Sequence, residues 1–269
     1  MAELTVRGLR FHYQRLGNGG VPVVFLHGLV MDNLSSFYFT MAPQISRFAD
    51  VILYDLRGHG NTERVEAGYA VPELVADQAA LLDALGVTTP VLLVGHSFGG
   101  LLAQAFTATF PTRVRGIVLI DGLSPQQGWA EEMVHTLELQ NEERDQRIAV
   151  SFQNWLGRHS RRKTTRLAVA AEALVYRTSL VEDLRTSPYL TDAELSTIRC
   201  PVLIVSGEHS DMRSRAEHLS SVLPDAELRL FPRCTHSVLW EATADVCGLV
   251  VEWLRGAADP AESREARGF

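Results

Sequence analysis

Lysine is almost missing from this chain. Lys163 is the single lysine among 25 basic residues, and the rest are arginine. Acidic residues number 32, so the formal net charge is −7 at pH 7. That balance argues against a general nucleic-acid binder. Cysteine is scarce as well. Cys200, Cys234 and Cys247 form neither an even set nor a metal-ligand spacing, and a reducing, cytoplasmic setting is the simplest reading. No long hydrophobic run is present. The longest apolar stretch, residues 21–30, contains Pro22, His27 and Gly28 and is too short to span a membrane, so no membrane insertion is expected. The first residues lack a charged region followed by an apolar core, so no signal peptide is expected either. There is no internal repeat.

The 269 residues suit one α/β domain with room for an insertion, and hydrophobic residues at 46% supply a large core. Residues 4–16 read as two short strands around Gly8. Val23-Val24-Phe25-Leu26 is a buried strand ending in His27-Gly28, and a helix is expected over 36–48. Val51-Ile52-Leu53-Tyr54 follows, then a helix over 71–85 stopped at Gly86. Val91-Leu92-Leu93-Val94 and Ile117-Val118-Leu119-Ile120 are two further strands separated by a helix. Short all-apolar strands alternating with helices imply a parallel sheet covered on both faces. From Gly122 to Ile198 the pattern is helical and charged, with no convincing strand. Alternation resumes at Val202-Leu203-Ile204-Val205, with a helix near 214–222, a strand at 227–231 and a last helix over 242–254. The expected organisation is a core of residues 1–121 and 199–256, a helical insertion of residues 122–198, and a flexible tail of residues 257–269.

Residues 94–100, Val-Gly-His-Ser-Phe-Gly-Gly, carry the most chemistry. Gly95-His96-Ser97-Phe98-Gly99 fits G-x-S-x-G between a strand and a helix. There a serine sits on a strained turn with its hydroxyl projecting from the sheet. Small residues at 95 and 99 let strand and helix approach. The following helix aims its N-terminus at the site, favouring developing negative charge. Two more motifs lie upstream, Phe25-Leu26-His27-Gly28 and Asp55-Leu56-Arg57-Gly58-His59-Gly60.

Taken in order, these motifs resemble the α/β-hydrolase superfamily, of the kind with a helical cap. The resemblance covers residues 20–120 and 200–255. It implies a mostly parallel central sheet flanked by helices, with the cap inserted after the strand ending near Ile120. It implies Ser97 as nucleophile and His236 as general base, with His209 a rival. For the acid it implies Asp211, in Gly207-Glu208-His209-Ser210-Asp211, with Glu208 and Asp121 as alternatives. The backbone amides of Leu29 and Phe98 would form the oxyanion hole. Asp55 and Arg57 would brace their turn.

Val30, Trp129, Met133 and Trp155 are candidate pocket residues, with Tyr176 and Tyr189 beside them; for all but Val30, packing inside the cap is the other reading. Arg158, Arg161, Arg162, Lys163 and Arg166 form a basic cluster that fits an acyl carrier protein or a solvated helix face. The implied activity is a serine hydrolase cleaving an ester or thioester of a small-to-medium apolar acyl substrate, without metal or organic cofactor. A carrier-directed thioesterase or acyltransferase, a carbon–carbon bond hydrolase, a cofactor-free perhydrolase and a non-catalytic ligand-binding relative stand as alternatives. Epoxide hydrolases and haloalkane dehalogenases need a carboxylate where Ser97 stands.

Overall fold

A computed structural model describes residues 2–17, 19–138 and 161–258. Eight strands form one sheet. They are β1 (Ala2–Val6), β2 (Leu9–Leu16), β3 (Pro22–Leu26), β4 (Asp50–Tyr54), β5 (Val91–His96), β6 (Val114–Ile120), β7 (Val202–Gly207) and β8 (Ala226–Phe231). Their order across the sheet is β1-β2-β4-β3-β5-β6-β7-β8. The β1–β2 and β2–β4 pairs are antiparallel, and all others are parallel.

The central strands each carry an apolar run of four or more residues because both faces are covered. Alternate side chains divide between two cores. Val24, Leu26, Ile52, Tyr54, Leu93, Ile117, Leu119 and Ile204 face one core. Val23, Phe25, Val51, Leu53, Leu92, Val94, Val118 and Leu203 face the other. The helices α1 (Ser35–Tyr38), α2 (Ala42–Ile45), α3 (Val71–Ala84) and α4 (Phe98–Thr109) lie between the first six strands. Ten of the twelve residues of α4 are buried, from Phe98 through Thr107, which is why it is apolar all round.

Two expectations about helices change. The helix read over 36–48 is two short helices, because Pro43 enters at the start of α2. A proline ring there collides with the carbonyl four residues back and cannot continue a helix from Phe39. At the other end, the last helix extends through Gly256 to Ala258, so residues 257 and 258 are helical where a tail was expected. The remainder of that tail, 259–269, lies outside the described residues.

Between β6 and β7 the described residues form four helices and no strand: α5 (Trp129–Glu138), α6 (Arg161–Tyr176), α7 (Leu180–Arg185) and α8 (Asp192–Leu195). Trp129 packs its ring 6.4 Å from that of Phe98, directly over the start of α4. Asp183 accepts hydrogen bonds from the Gly68 and Tyr69 N–H groups at 3.1 and 2.7 Å. Ser187 accepts one from the Val71 N–H. Polar contacts to the 66–71 loop therefore seat this segment on the sheet domain. After β7 come α9 (Arg213–Val222), then, past β8, α10 (Val238–Glu241) and α11 (Thr243–Ala258). No helix among the described residues is long and apolar enough to cross a membrane.

Chain order reverses between β3 and β5. From β3 the chain steps outward to β4, and from β5 it steps the other way to β6. Loops leave such a point in opposite directions and open a crevice at the carboxyl ends of the strands. His27-Gly28, Ser97 and Asp121 each stand just past the ends of β3, β5 and β6.

Candidate active site

Ser97 has φ 51° and ψ −119°, outside the regions ordinary residues occupy. The turn survives because its neighbours are glycine. A Cβ at Gly95 would strike the Gly99 carbonyl, and one at Gly99 would strike that of Leu26. Among the described residues, five non-glycine residues have positive φ, and Val30, Ser97 and Asp121 are three of them. Strain of this kind collects where surrounding structure over-determines a functional geometry.

His236 closes the arrangement. Its Nε2 lies 3.1 Å from the Ser97 Oγ, and its Nδ1 lies 2.6 Å from the Asp121 Oδ2. Asp121 is 1% exposed. Its carboxylate also accepts from the Ser206 Oγ at 2.6 Å, the Gly207 N–H at 3.1 Å and the Ser210 Oγ at 2.5 Å. Burial alone would raise its pKa. The His236 hydrogen bond and charge, with Ser206 and Ser210, outweigh burial and hold the carboxyl below the usual range. For His236 burial favours the neutral ring, yet Asp121, joined by Asp211 and Glu241, raises its pKa above the ordinary imidazole value.

The carboxylate that meets His236 is Asp121, not Asp211 as expected. Asp211 is exposed and contributes charge near the imidazole, with no hydrogen bond to it. The physical cause lies one residue earlier. Ser210 occupies the buried position of the turn, and its hydroxyl reaches Asp121. Glu208 is spent on the loop itself, accepting the Arg233 N–H at 3.0 Å. His209 is exposed, so the rival base is set aside. Asp121, Asp211 and His236 bring one ligand atom each within 4.8 Å of one another. Asp121 already accepts four hydrogen bonds there, a donor set suited to holding a proton carrier rather than a metal ion.

Of the two amides expected to line an oxyanion hole, that of Phe98 follows Ser97 directly in the chain, and that of Leu29 belongs to the loop whose Leu26 and His27 carbonyls crowd Gly99. The Phe98 N–H is the first of α4 and has no intrahelical acceptor. No described group accepts from the Leu29 N–H. The loop carrying Leu29 is tightly braced. The Leu56 N–H donates to the His27 Nε2 at 3.0 Å, and the Val30 N–H donates to the His59 Nε2 at 2.8 Å. Burial first, and then the neighbouring His27, push the His59 pKa down to about 3, so it stays a neutral acceptor. Asp55 accepts from the N–H groups of Leu34 and Asn61 and pairs with His12, while Arg57 makes two bonds to Asp77. Both brace their turn, as expected.

Of the candidate pocket residues, Val30 is half-buried beside Leu29, and Met133 packs at the edge of the core. Trp129 is 1% exposed. Trp155 and Arg158 lie outside the described residues, as do the side chains of Arg161, Arg162 and Lys163. Tyr176 and Tyr189 are about half exposed. Sequence reading passed over Asp32, whose carboxylate holds the Gly28 N–H. Its signal was faint, a lone acid four residues after His27-Gly28.

This geometry stands on a fold whose family is plain. The family model described as the alpha/beta hydrolase fold matches residues 21–243. The chain belongs to the α/β-hydrolase fold family. It is 30% identical over 263 residues to the 2-hydroxy-6-oxo-2,4-heptadienoate hydrolase of Pseudomonas putida, covering 92% of this chain and 93% of that one. It is 27% identical over 268 residues to the 2-hydroxy-6-oxononadienedioate/2-hydroxy-6-oxononatrienedioate hydrolase of Burkholderia vietnamiensis, covering 92% and 91%. A thermophilic esterase from Thermogutta terrifontis shares the fold at TM-score 0.78 and 22% identity, covering 96% of this chain and 99% of that one. The protein is a hydrolase of this fold.

Proposed function

We propose that this protein hydrolyses acyl compounds through an acyl-enzyme on Ser97, with an ester or thioester of a small-to-medium apolar acid as substrate. The hydrogen-bonded series Asp121–His236–Ser97, with links of 2.6 and 3.1 Å on a strained elbow, carries this reading. A serine hydroxyl attacks only when a base takes its proton, and His236 Nε2 is within reach. Asp121 keeps the ring proton on Nδ1, so the lone pair faces Ser97. As Ser97 adds to the carbonyl, the proton passes to His236, and the Leu29 and Phe98 amides receive the oxyanion. His236 then protonates the leaving oxygen or sulfur. Water attacks the acyl-enzyme with His236 again as base, releasing the acid and free Ser97.

The same apparatus admits carbon–carbon bond hydrolysis, in which the leaving carbon takes the proton from His236. Two relatives that match over nine-tenths of this chain are named for substrates with a 2-hydroxy-6-oxo dienoate pattern, and they favour this second reading. One experiment separates the two. Oxygen esters and thioesters from acetyl to decanoyl are assayed beside a 2-hydroxy-6-oxo-dienoate, with Ser97→Ala as blank. Ser97-dependent ester or thioester turnover that exceeds dienoate cleavage supports the first reading. Dienoate cleavage that dominates replaces it with the second, and turnover surviving in Ser97→Ala refutes both.

A further inference from the structure

We propose that Asp32 is a positioning residue that locks the oxyanion loop to the nucleophile elbow, acting on the developing oxyanion and not on substrate binding. This rests on the Ser97 reading above.

Asp32 is buried and joins three parts of the site. Its Oδ2 accepts the Gly28 N–H at 2.7 Å and faces the His96 Nδ1 at 3.3 Å. Its Oδ1 accepts the Asn33 N–H at 2.8 Å and the Ser36 hydroxyl. His96 immediately precedes Ser97, and its ring stacks on His236 with centroids 5.9 Å apart. One carboxylate therefore ties the loop after β3 to the residue before the nucleophile and to the face of the general base. Burial would favour the protonated acid, but the His96 and Ser36 hydrogen bonds outweigh it and keep Asp32 ionised.

The peptide that follows Gly28 is the one that matters. Its carbonyl lies 2.7 Å from the His27 Nδ1 and can only accept, so the ring nitrogen donates. The Gly28 carbonyl and the Leu29 N–H belong to one planar trans peptide and point opposite ways. Asp32 on one side of Gly28 and His27 on the other thus aim the Leu29 amide. They hold it against strain. Val30 is β-branched at φ 65°, and the Met31 N–H bonds the Leu29 carbonyl at 2.9 Å across it. That is a tight γ-turn which a free chain avoids. Without the hold on Gly28, the loop relaxes and the Leu29 amide turns away.

Asp32→Asn tests this. The Gly28 and Asn33 amides can only donate, so the new NH2 group must face one of them and break that bond. Wild type, Asp32→Asn, Asp32→Ala and Ser97→Ala are compared on p-nitrophenyl butyrate and on fluorophosphonate labelling of Ser97, read by intact mass. An alkyl trifluoromethyl ketone serves as a tetrahedral-adduct inhibitor. The expected result is a kcat lowered about 10–100-fold with KM within about twofold, since full loss of one oxyanion donor costs ~100–1000-fold. The inhibitor Ki rises by the factor that kcat/KM falls, the mark of a transition-state effect. If wild type does not turn over the ester, labelling rates carry the same comparison.

A well-folded Asp32→Ala enzyme, which keeps no acceptor for the Gly28 N–H, with kcat within about twofold of wild type overturns the proposal. So does a loss confined to KM. If neither variant melts cooperatively, Asp32 serves folding and the positioning role is overturned. An unlabelled wild type, or turnover that persists in Ser97→Ala, overturns the Ser97 reading and the proposal with it. Selective loss in the Asp32 variants leaves Ser97 labelled, so the two failures are distinguishable.

Discussion

Asp121→Asn should stop the reaction without emptying the site. The Asp121 Oδ1 accepts from Ser206 and from the Gly207 N–H, and the Oδ2 accepts from Ser210 and His236. The Gly207 amide can only donate, so the oxygen of the new carboxamide must stay on that side. Its NH2 then faces His236 Nδ1 and forces the ring proton to Nε2. The imidazole now presents a proton to Ser97 where it needs a lone pair. Wrong-tautomer substitutions of this kind cost ~10⁴ in kcat, about 5.5 kcal/mol at 1.36 kcal/mol per decade. Asp211→Asn removes only an exposed charge, worth about 0.2–1 kcal/mol, and should lower kcat less than about fivefold. The assay is kcat of the best ester found, measured on the alkaline plateau, with thermal melts to establish folding. Equal losses in both variants, or a larger loss at Asp211, would refute the assignment of Asp121 as the acid.

The pH profile should follow His236. The ring must be neutral to act as base, and Asp121, Asp211 and Glu241 raise its pKa, so the acidic limb of kcat/KM should lie above the ordinary imidazole value. Asp211→Asn should move that limb to lower pH, and an unmoved limb would show that Asp211 does not act on the ring. Stability should fall in acid. Asp32, Asp55 and Asp121 all have folded pKa values below the ordinary one, so their contribution is complete above about pH 4–5 and is lost as pH falls through and below the unfolded value. Melting temperatures flat from pH 6 to pH 3 would contradict it. Gly99→Ala should yield little folded protein, because its Cβ would collide with the Leu26 and His27 carbonyls. Soluble, fully active Gly99→Ala would mean the elbow can open.

Where the physics is local, the sequence is a sufficient guide. The five apolar runs were legible because burial on two faces demands it, and the elbow because only glycine tolerates such close approach. The break at Pro43 was visible in sequence too, and a proline-first reading would have found it. The acid is a different matter. Both Asp121 and Asp211 lie between Ser97 and His236 in the chain, so the order Ser…Asp…His is satisfied by either. They end neighbouring parallel strands, with Ile120 beside Val205 and the Asp121 N–H bonded to the Val205 carbonyl at 2.7 Å. Strands sit ~4.8 Å apart, so either loop can deliver a carboxylate to one imidazole. What decides is which side chain turns inward after β7, and that residue is Ser210, a hydroxyl that can only support an acid supplied from elsewhere. Serine where the loop would otherwise place its carboxylate was the one sequence signal favouring Asp121.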